Sequence, residues 1–199
     1  MGSIAPDMST RLPAADRRLQ LIDVATETFG EVGFHNASMN AIAAAAGVTK
    51  PVLYQHFSSK EDLFTAVLRH VGAKLRTALE SSVAQAADGR ERVELGFAAY
   101  FGFLHNHRAS ARVLFGEARR IDETMAKEAN RAVESIANMV AGLIEIDGLS
   151  DEERRVLANG VVGIAEGAGR AWIRRTNGLS AERLAEVVAE LAWTGLRGE

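Results

Sequence analysis

The run Lys50-Pro51-Val52-Leu53-Tyr54-Gln55-His56-Phe57 gathers an ammonium, a phenol, an amide and an imidazole within two helical turns. Leu53 and Phe57 are four apart and share one side of a helix, with Val48 filling the corner before it. Lys50, Pro51, Tyr54 and Gln55 are left for the outside. That set is short, mixed and partly aromatic, which suits contact with base edges better than an ordinary solvated face. Lys50 is the leading base reader, because an ammonium donates to guanine O6 and N7. Tyr54 is either a half-buried aromatic or a contact to phosphate or a thymine methyl. His56 ends the helix and either satisfies local carbonyls or binds phosphate.

These side chains need a scaffold, and the flanking residues supply one. Ser38 to Ala46 is a short Ala-rich helix with Ser38 as N-cap. Gly47 ends it, since the sharp exit requires a residue at ease with positive φ. Thr49 caps the next helix, and Pro51 falls in its first turn, where the missing N–H costs nothing. Two short helices about a tight Gly turn form a helix-turn-helix over 38–57, the unit that lays a helix in a major groove. Upstream, Ala14 to Val32 carries Leu21, Ile22, Ala25, Phe29 and Val32 on one face, with Gly33 as the stop. Downstream, Ser58 and Glu61 have capping-box spacing, so a new helix starts there. Lys60 at that N-terminus opposes the helix dipole unless it faces a phosphate.

From Ile42 to Leu63 the chain closely resembles the DNA-binding domain of TetR-type transcriptional regulators. Ala46-Gly47-Val48, Leu53-Tyr54-Gln55-His56-Phe57 and Ser59-Lys60-Glu61-Asp62-Leu63 carry the likeness. The close match spans roughly residues 14–70. Beyond it, only length and an all-helical pattern agree. The resemblance implies that Ser38, Asn40 and Thr49 touch backbone or base edges and that Tyr54, His56 and Lys60 meet the DNA. Members often carry a small residue where this chain has Pro51 or Val52. Both positions face the groove, so the operator sequence is this chain's own.

Bulk properties exclude several classes. There is no Cys, which removes disulfides, thiolate metal sites and Cys nucleophiles. No convergent acid, base or nucleophile set points to catalysis, and no cofactor or metal is expected. His105-x-His107 invites a metal reading, but residues two apart do not share a helix face. Apolar stretches such as 161–164 fall far short of a membrane span. Residues 1–12 are polar and read as a disordered arm, and the chain as cytoplasmic. Net charge is −3, and residues 1–75 hold seven cations against seven anions. Bulk attraction to DNA is therefore weak, and the case for DNA rests on local pattern.

The fold expected is all-α: a three-helix DNA-binding domain over 1–57, then a helical effector-binding and dimerisation domain over 58–199. A long helix from Glu61 to about Ala87 joins them, closed by Asp88-Gly89. Further helices are expected over about 92–106, 109–116, 122–146, from a Ser150–Glu153 capping box to about 175, and from Ser180 to 196. Gly160, Gly163 and Gly167 repeat on one face, continued by Ala171. Each Gly costs roughly 1 kcal/mol in a helix interior, so close approach of another helix is the natural reason. Leu184, Val188 and Leu191 on the last helix join them. Packing within the chain is one reading; the resemblance implies a four-helix interface between two subunits. It also implies an apolar effector cavity in the body. Phe97, Tyr100, Phe101, Leu104, Phe115, Met125 and Met139 are candidates for its lining, plain core being the other reading. Arg119 or Arg120 would suit a carboxylate ligand, Glu166 a cation, and Arg170 is a further polar anchor. The function expected is a homodimeric repressor that leaves a palindromic operator when a small apolar or amphipathic ligand binds. The resemblance implies targets at its own promoter and at neighbouring genes for efflux or metabolism of apolar compounds. The alternative is a regulator answering to a protein partner.

Overall fold

A computed structural model describes residues 13–115, 123–174 and 178–197. The described residues form nine helices and no strand: α1 (Ala14–Asn36), α2 (Met39–Ala45), α3 (Lys50–His56), α4 (Lys60–Val83), α5 (Gly89–Asn106), α6 (Arg108–Phe115), α7 (Glu123–Leu143), α8 (Asp151–Ile173) and α9 (Ala181–Arg197). The expected N-terminal arm, and Arg119 with Arg120, lie outside the described residues.

The N-terminal unit follows its sequence closely. Ser38 Oγ accepts from the Ala41 N–H at 3.1 Å and starts α2. Gly47 then turns the chain at φ 65°, a conformation that costs an L side chain about 1 kcal/mol or more. Thr49 occupies the N-cap position of α3, but its side chain makes no capping bond. Leu21, Ile22, Ala25, Ile42, Leu53 and Phe57 are buried together. Gly33 breaks the first helix at φ 77°, where its stop is expected, and a further helical turn beyond the kink carries the chain to Asn36.

The start of α4 is displaced by one residue from the expected capping box. Ser59 is the N-cap and accepts from the Asp62 N–H at 3.1 Å, while Asp62 accepts from the Ser58 N–H at 2.8 Å. Serine 58 and serine 59 carry the same local signal; the second leaves Leu63 and Phe64 facing inward. Phe64 meets Phe29 edge-on at 4.9 Å and Phe34 at 5.1 Å. The first turns of α4 are thereby part of the N-terminal core.

In the body, α4 packs on α5 and α7, α9 lies along α5, and α8 crosses α7, α5 and α6. Asp88 does not close α4. It caps α5 by accepting from the Glu91 N–H at 2.8 Å, so α5 begins at Gly89. The Ser150–Glu153 capping box is present in full. Two contacts set helix spacing. A methyl added at Gly72 would lie 2.8 Å from Ala132 Cβ, and one added at Gly30 would lie 2.5 Å from Ala109 Cα. The second brings α6 of the body directly onto α1 of the N-terminal unit. Glu128 on α7 receives both Arg69 Nε (2.7 Å) and Arg69 Nη2 (2.9 Å) from α4, and also Arg131. The Arg69 bonds outweigh its burial and hold its carboxyl below the ordinary range.

Candidate nucleic-acid interface and effector cavity

The third helix presents the expected face. Leu53 and Phe57 are buried, and Lys50, Pro51, Tyr54 and Gln55 are exposed, with Tyr54 43% accessible. Val52 and His56 are half-buried at its edges. Ser38, Asn40 and Thr49 are exposed beside it. Lys50 Nζ stands 5.8 Å from the Tyr54 ring centroid, so cation and aromatic form one patch. Arg18 of α1 lies over the Phe57 ring at 4.7 Å, adding a guanidinium at the end of the same helix.

Lys60, expected to face phosphate, donates within the chain to the carbonyls of Phe34 (2.8 Å), Ala37 (3.0 Å) and His35 (3.4 Å), and stands 4.4 Å from the Phe34 ring. An ammonium has three donors, and these carbonyls occupy them. They end α1, where the dipole is negative and carbonyls lack intrahelical partners. The cation that opposes the dipole of α4 completes α1.

The body holds an elongated cavity of about 530 Å³ between α4, α5, α6, α7, α8 and α9. Of the candidates, Phe97, Tyr100, Phe115, Met139 and Glu166 line it. Phe101, Leu104 and Met125 do not; they are solid core. Phe101 shares a side of α5 with Phe97, which lines the cavity and stacks on it at 6.2 Å, but neighbouring helices close over Phe101, and Leu104 lies a turn further on, against Gly169. Arg170 is outside the lining. It donates to Glu166 at 3.3 Å and sits 5.8 Å from the Phe115 ring centroid.

Arg92 and Trp193 are lining residues that sequence reasoning missed. Arg92 Nη1 donates to the Leu143 carbonyl at 2.9 Å and pairs with Glu145 at 3.4 Å. Trp193 falls next to the Ala185, Val188, Ala189, Ala192 seam that lays α9 on α5. Among the described residues, two buried polar atoms lack partners, the Tyr100 hydroxyl and Trp193 Nε1, and both residues line the cavity. Burial, with the Glu166 charge adding to it, pushes the Tyr100 phenol well above its ordinary value and keeps it neutral.

The glycine face of α8 is open. A methyl at Gly160, Gly163 or Gly167 would meet nothing within 4 Å, and Ala171 is exposed. Leu184 is half-buried, and Leu191 is 62% accessible on the same side of α9 as exposed Val187. Val188 is a correction: it is 6% accessible and packs inward with the alanines of α9. Around α9, Val188 is rotated about 40° from Leu184 toward the alanines, whereas Leu191 is rotated about 20° the other way, toward exposed Val187.

A helix-turn-helix with an exposed polar and aromatic face, joined to a helical body with an apolar cavity, is the architecture of a DNA-binding transcriptional regulator. The description of bacterial regulatory proteins of the TetR family matches residues 21–67. The chain is 34% identical to the HTH-type transcriptional activator FasR of Mycolicibacterium smegmatis over 187 residues, covering 94% of this chain and 85% of that protein. A TetR-like transcriptional regulator from Rhodococcus sp. RHA1 superposes with a TM-score of 0.76 at 29% identity, over 95% of this chain and 100% of that one. FadR from Bacillus subtilis, solved in complex with stearoyl-CoA, gives a TM-score of 0.79 at 22% identity, over 89% and 98%. The chain belongs to the TetR family of bacterial transcriptional regulators. Among the described residues, no helix is long and apolar enough to cross a membrane, and no cluster of His, Asp and Glu could hold a metal ion.

Proposed function

We propose that this chain is a homodimeric, cytoplasmic regulator whose hold on a near-palindromic operator is released by a long-chain acyl effector. The observation that carries the reading is the cavity together with α6. Leu114 and Phe115 of α6 line the cavity, while Ala109 of the same helix abuts Gly30 of α1. Arg112 Nη1 also reaches the Gly30 carbonyl at 3.4 Å. Five or six residues of helix, about 8–9 Å, separate the ligand wall from the DNA-binding unit. A chain filling the cavity displaces Phe115, and α6 has no slack against α1. The elongated apolar shape suits a hydrocarbon tail, and the neighbour solved with stearoyl-CoA shares the fold.

Residues 1–57 act as the DNA-binding domain and 58–199 as the effector and dimerisation domain. Lys50 reads a base edge, and Pro51, Val52, Tyr54 and Gln55 shape the groove contact. Ser38, Asn40, Thr49 and His56 hold the backbone. Gly160, Gly163, Gly167, Ala171, Leu184 and Leu191 form the subunit interface, which sets two α3 helices in successive major grooves about 34 Å apart. An operator overlapping the promoter makes such a protein a repressor; one upstream allows activation by the same chemistry.

The test is fluorescence anisotropy on an operator selected from random duplex DNA, with and without stearoyl-CoA. Release by about a hundredfold, a coupling of roughly 3 kcal/mol, is expected. Unchanged operator affinity under saturating thioester would sink the acyl-effector reading.

A further inference from the structure

The two orphaned polar atoms lie toward opposite ends of the cavity. Gly89 at the start of α5 touches the Trp193 ring: a methyl there would lie 3.6 Å from Cζ3. Tyr100 is eleven residues further along the same helix, a rise of about 16 Å. The Trp193 end includes the exposed lining residues Gly89 and Glu145, whereas the Tyr100 end is walled by the buried Gly72, Ala129, Val162 and Ala165. The cavity therefore opens near Trp193 and Arg92 and closes around Tyr100.

An aliphatic tail suits most of this wall but not its closed end. Tyr100 is 7% accessible and its hydroxyl has no partner among the described residues. A buried hydroxyl left unpaired costs about 1–3 kcal/mol, and a methyl terminus leaves it unpaired. Its ring is fixed, because α8 approaches so closely at Gly169 that a methyl there would lie 3.3 Å from Tyr100 Cε1 and 3.4 Å from its oxygen. Glu166 lines the same end of the cavity and its charge acts on the phenol. A group that accepts from the phenol and donates to a carboxylate fits there. An alcohol does both, as a further donor to a carboxylate that already accepts from Arg170 at 3.3 Å; a ketone or an ether only accepts. At the opening, the Trp193 indole N–H is a donor only, and a carbonyl oxygen completes it.

We propose that the effector is a hydroxylated long-chain acyl compound, its acyl carbonyl at Trp193 and its distal hydroxyl at Tyr100, a specificity that rests on the acyl-effector reading above. Tyr100 acts as the residue that separates oxygenated from plain chains.

The test titrates full-length protein calorimetrically with stearoyl-CoA and with analogues carrying one hydroxyl at successive positions in the distal half of the chain. At one position the hydroxylated thioester is expected to bind the wild type about tenfold tighter than stearoyl-CoA. In Tyr100→Phe, which keeps the ring and its packing, that advantage disappears. Glu166→Gln provides a second variant. There the advantage of the hydroxylated thioester over stearoyl-CoA is expected to shrink, because a neutral amide oxygen accepts more weakly than a carboxylate. Stearoyl-CoA binding at least as tightly as every hydroxylated analogue, or an advantage that survives Tyr100→Phe, overturns the assignment while leaving the acyl reading intact. Failure of every thioester to bind either protein defeats the acyl reading and this inference together.

Discussion

The N-terminal unit and the body of this protein are built to different standards of completeness. In the first, Leu21, Leu53 and Phe57 are fully buried, and even the carbonyls that end α1 have a cation. In the second, a cavity of about 530 Å³ remains, two polar atoms have no partner among the described residues, and a row of glycines faces open space. A module that must present one rigid surface to DNA is closed by its own sequence. A module that must respond leaves places for other molecules to finish.

Core truncation tests that contrast most severely. Phe64→Ala removes a ring packed on Phe29 and Phe34 and is expected to cost about 3–5 kcal/mol in urea unfolding. Met139→Ala, on the cavity wall, is expected to cost less than half as much, because the void already exists. Equal losses would mean that the body is as tightly packed as the N-terminal unit.

Next comes the open face. Gly163→Leu with Gly167→Leu fills the space a partner helix would enter. Monomers by light scattering, with operator affinity reduced at least about a hundredfold, are expected. A double variant that remains dimeric places the interface elsewhere.

The body is not uniformly incomplete, and Glu128 sharpens the point. It is 6% accessible and joins α4 to α7 through Arg69, whose own side chain is largely exposed. Its folded pKa is lowered, so its contribution is complete above the ordinary glutamate value of 4.5 and is lost as pH falls through the lower folded value. Glu128→Gln is expected to cost about 1–2 kcal/mol at neutral pH, discounted for the exposed arginine. The difference from wild type should shrink in acid, as thermal unfolding at pH 7 and at pH 3 would show. A difference independent of pH would assign the loss to packing.

The smallest effects separate two lysines. Lys60→Met is expected to lower stability by about 1 kcal/mol, through the lost bonds to the end of α1, and to leave the salt dependence of operator binding unchanged. Lys50→Ala should leave stability within about 0.5 kcal/mol and change which operators are preferred. A flattened salt slope for Lys60→Met would return that residue to the phosphate backbone.

The sequence made the helix-turn-helix legible because each of its signals is local and chemically narrow. Gly47 requires positive φ, Ser38 supplies one cap, and the four-residue spacing of Leu53 and Phe57 leaves one inward face. Caps with two eligible residues were less readable. Ser58 and Ser59 differ only in which register buries Phe64, and Asp88 serves equally as a helix end or as a helix start. The cavity was half legible. Tyr100 and Phe97 belong to a recognisable aromatic stripe, yet Phe101 in the same stripe is solid core, since a void is decided by neighbours distant in sequence. Trp193 gave no signal among the alanines of α9. The carbonyls that Lys60 binds lie 23 to 26 residues away, so no local pattern pointed to them.

The cavity also bears on how long the protein lasts. Its leucine, valine and aromatic walls forgo contacts that a ligand would supply, so the free form sits nearer to unfolding than the occupied one. A ligand at a hundred times its dissociation constant stabilises the folded state by about 2.7 kcal/mol. Cellular proteases act on the unfolded fraction, and shifts of this size change abundance several-fold. Scarcity of the effector would thus thin the pool of regulator as well as alter its grip on DNA, coupling a metabolite's supply to the protein's own turnover.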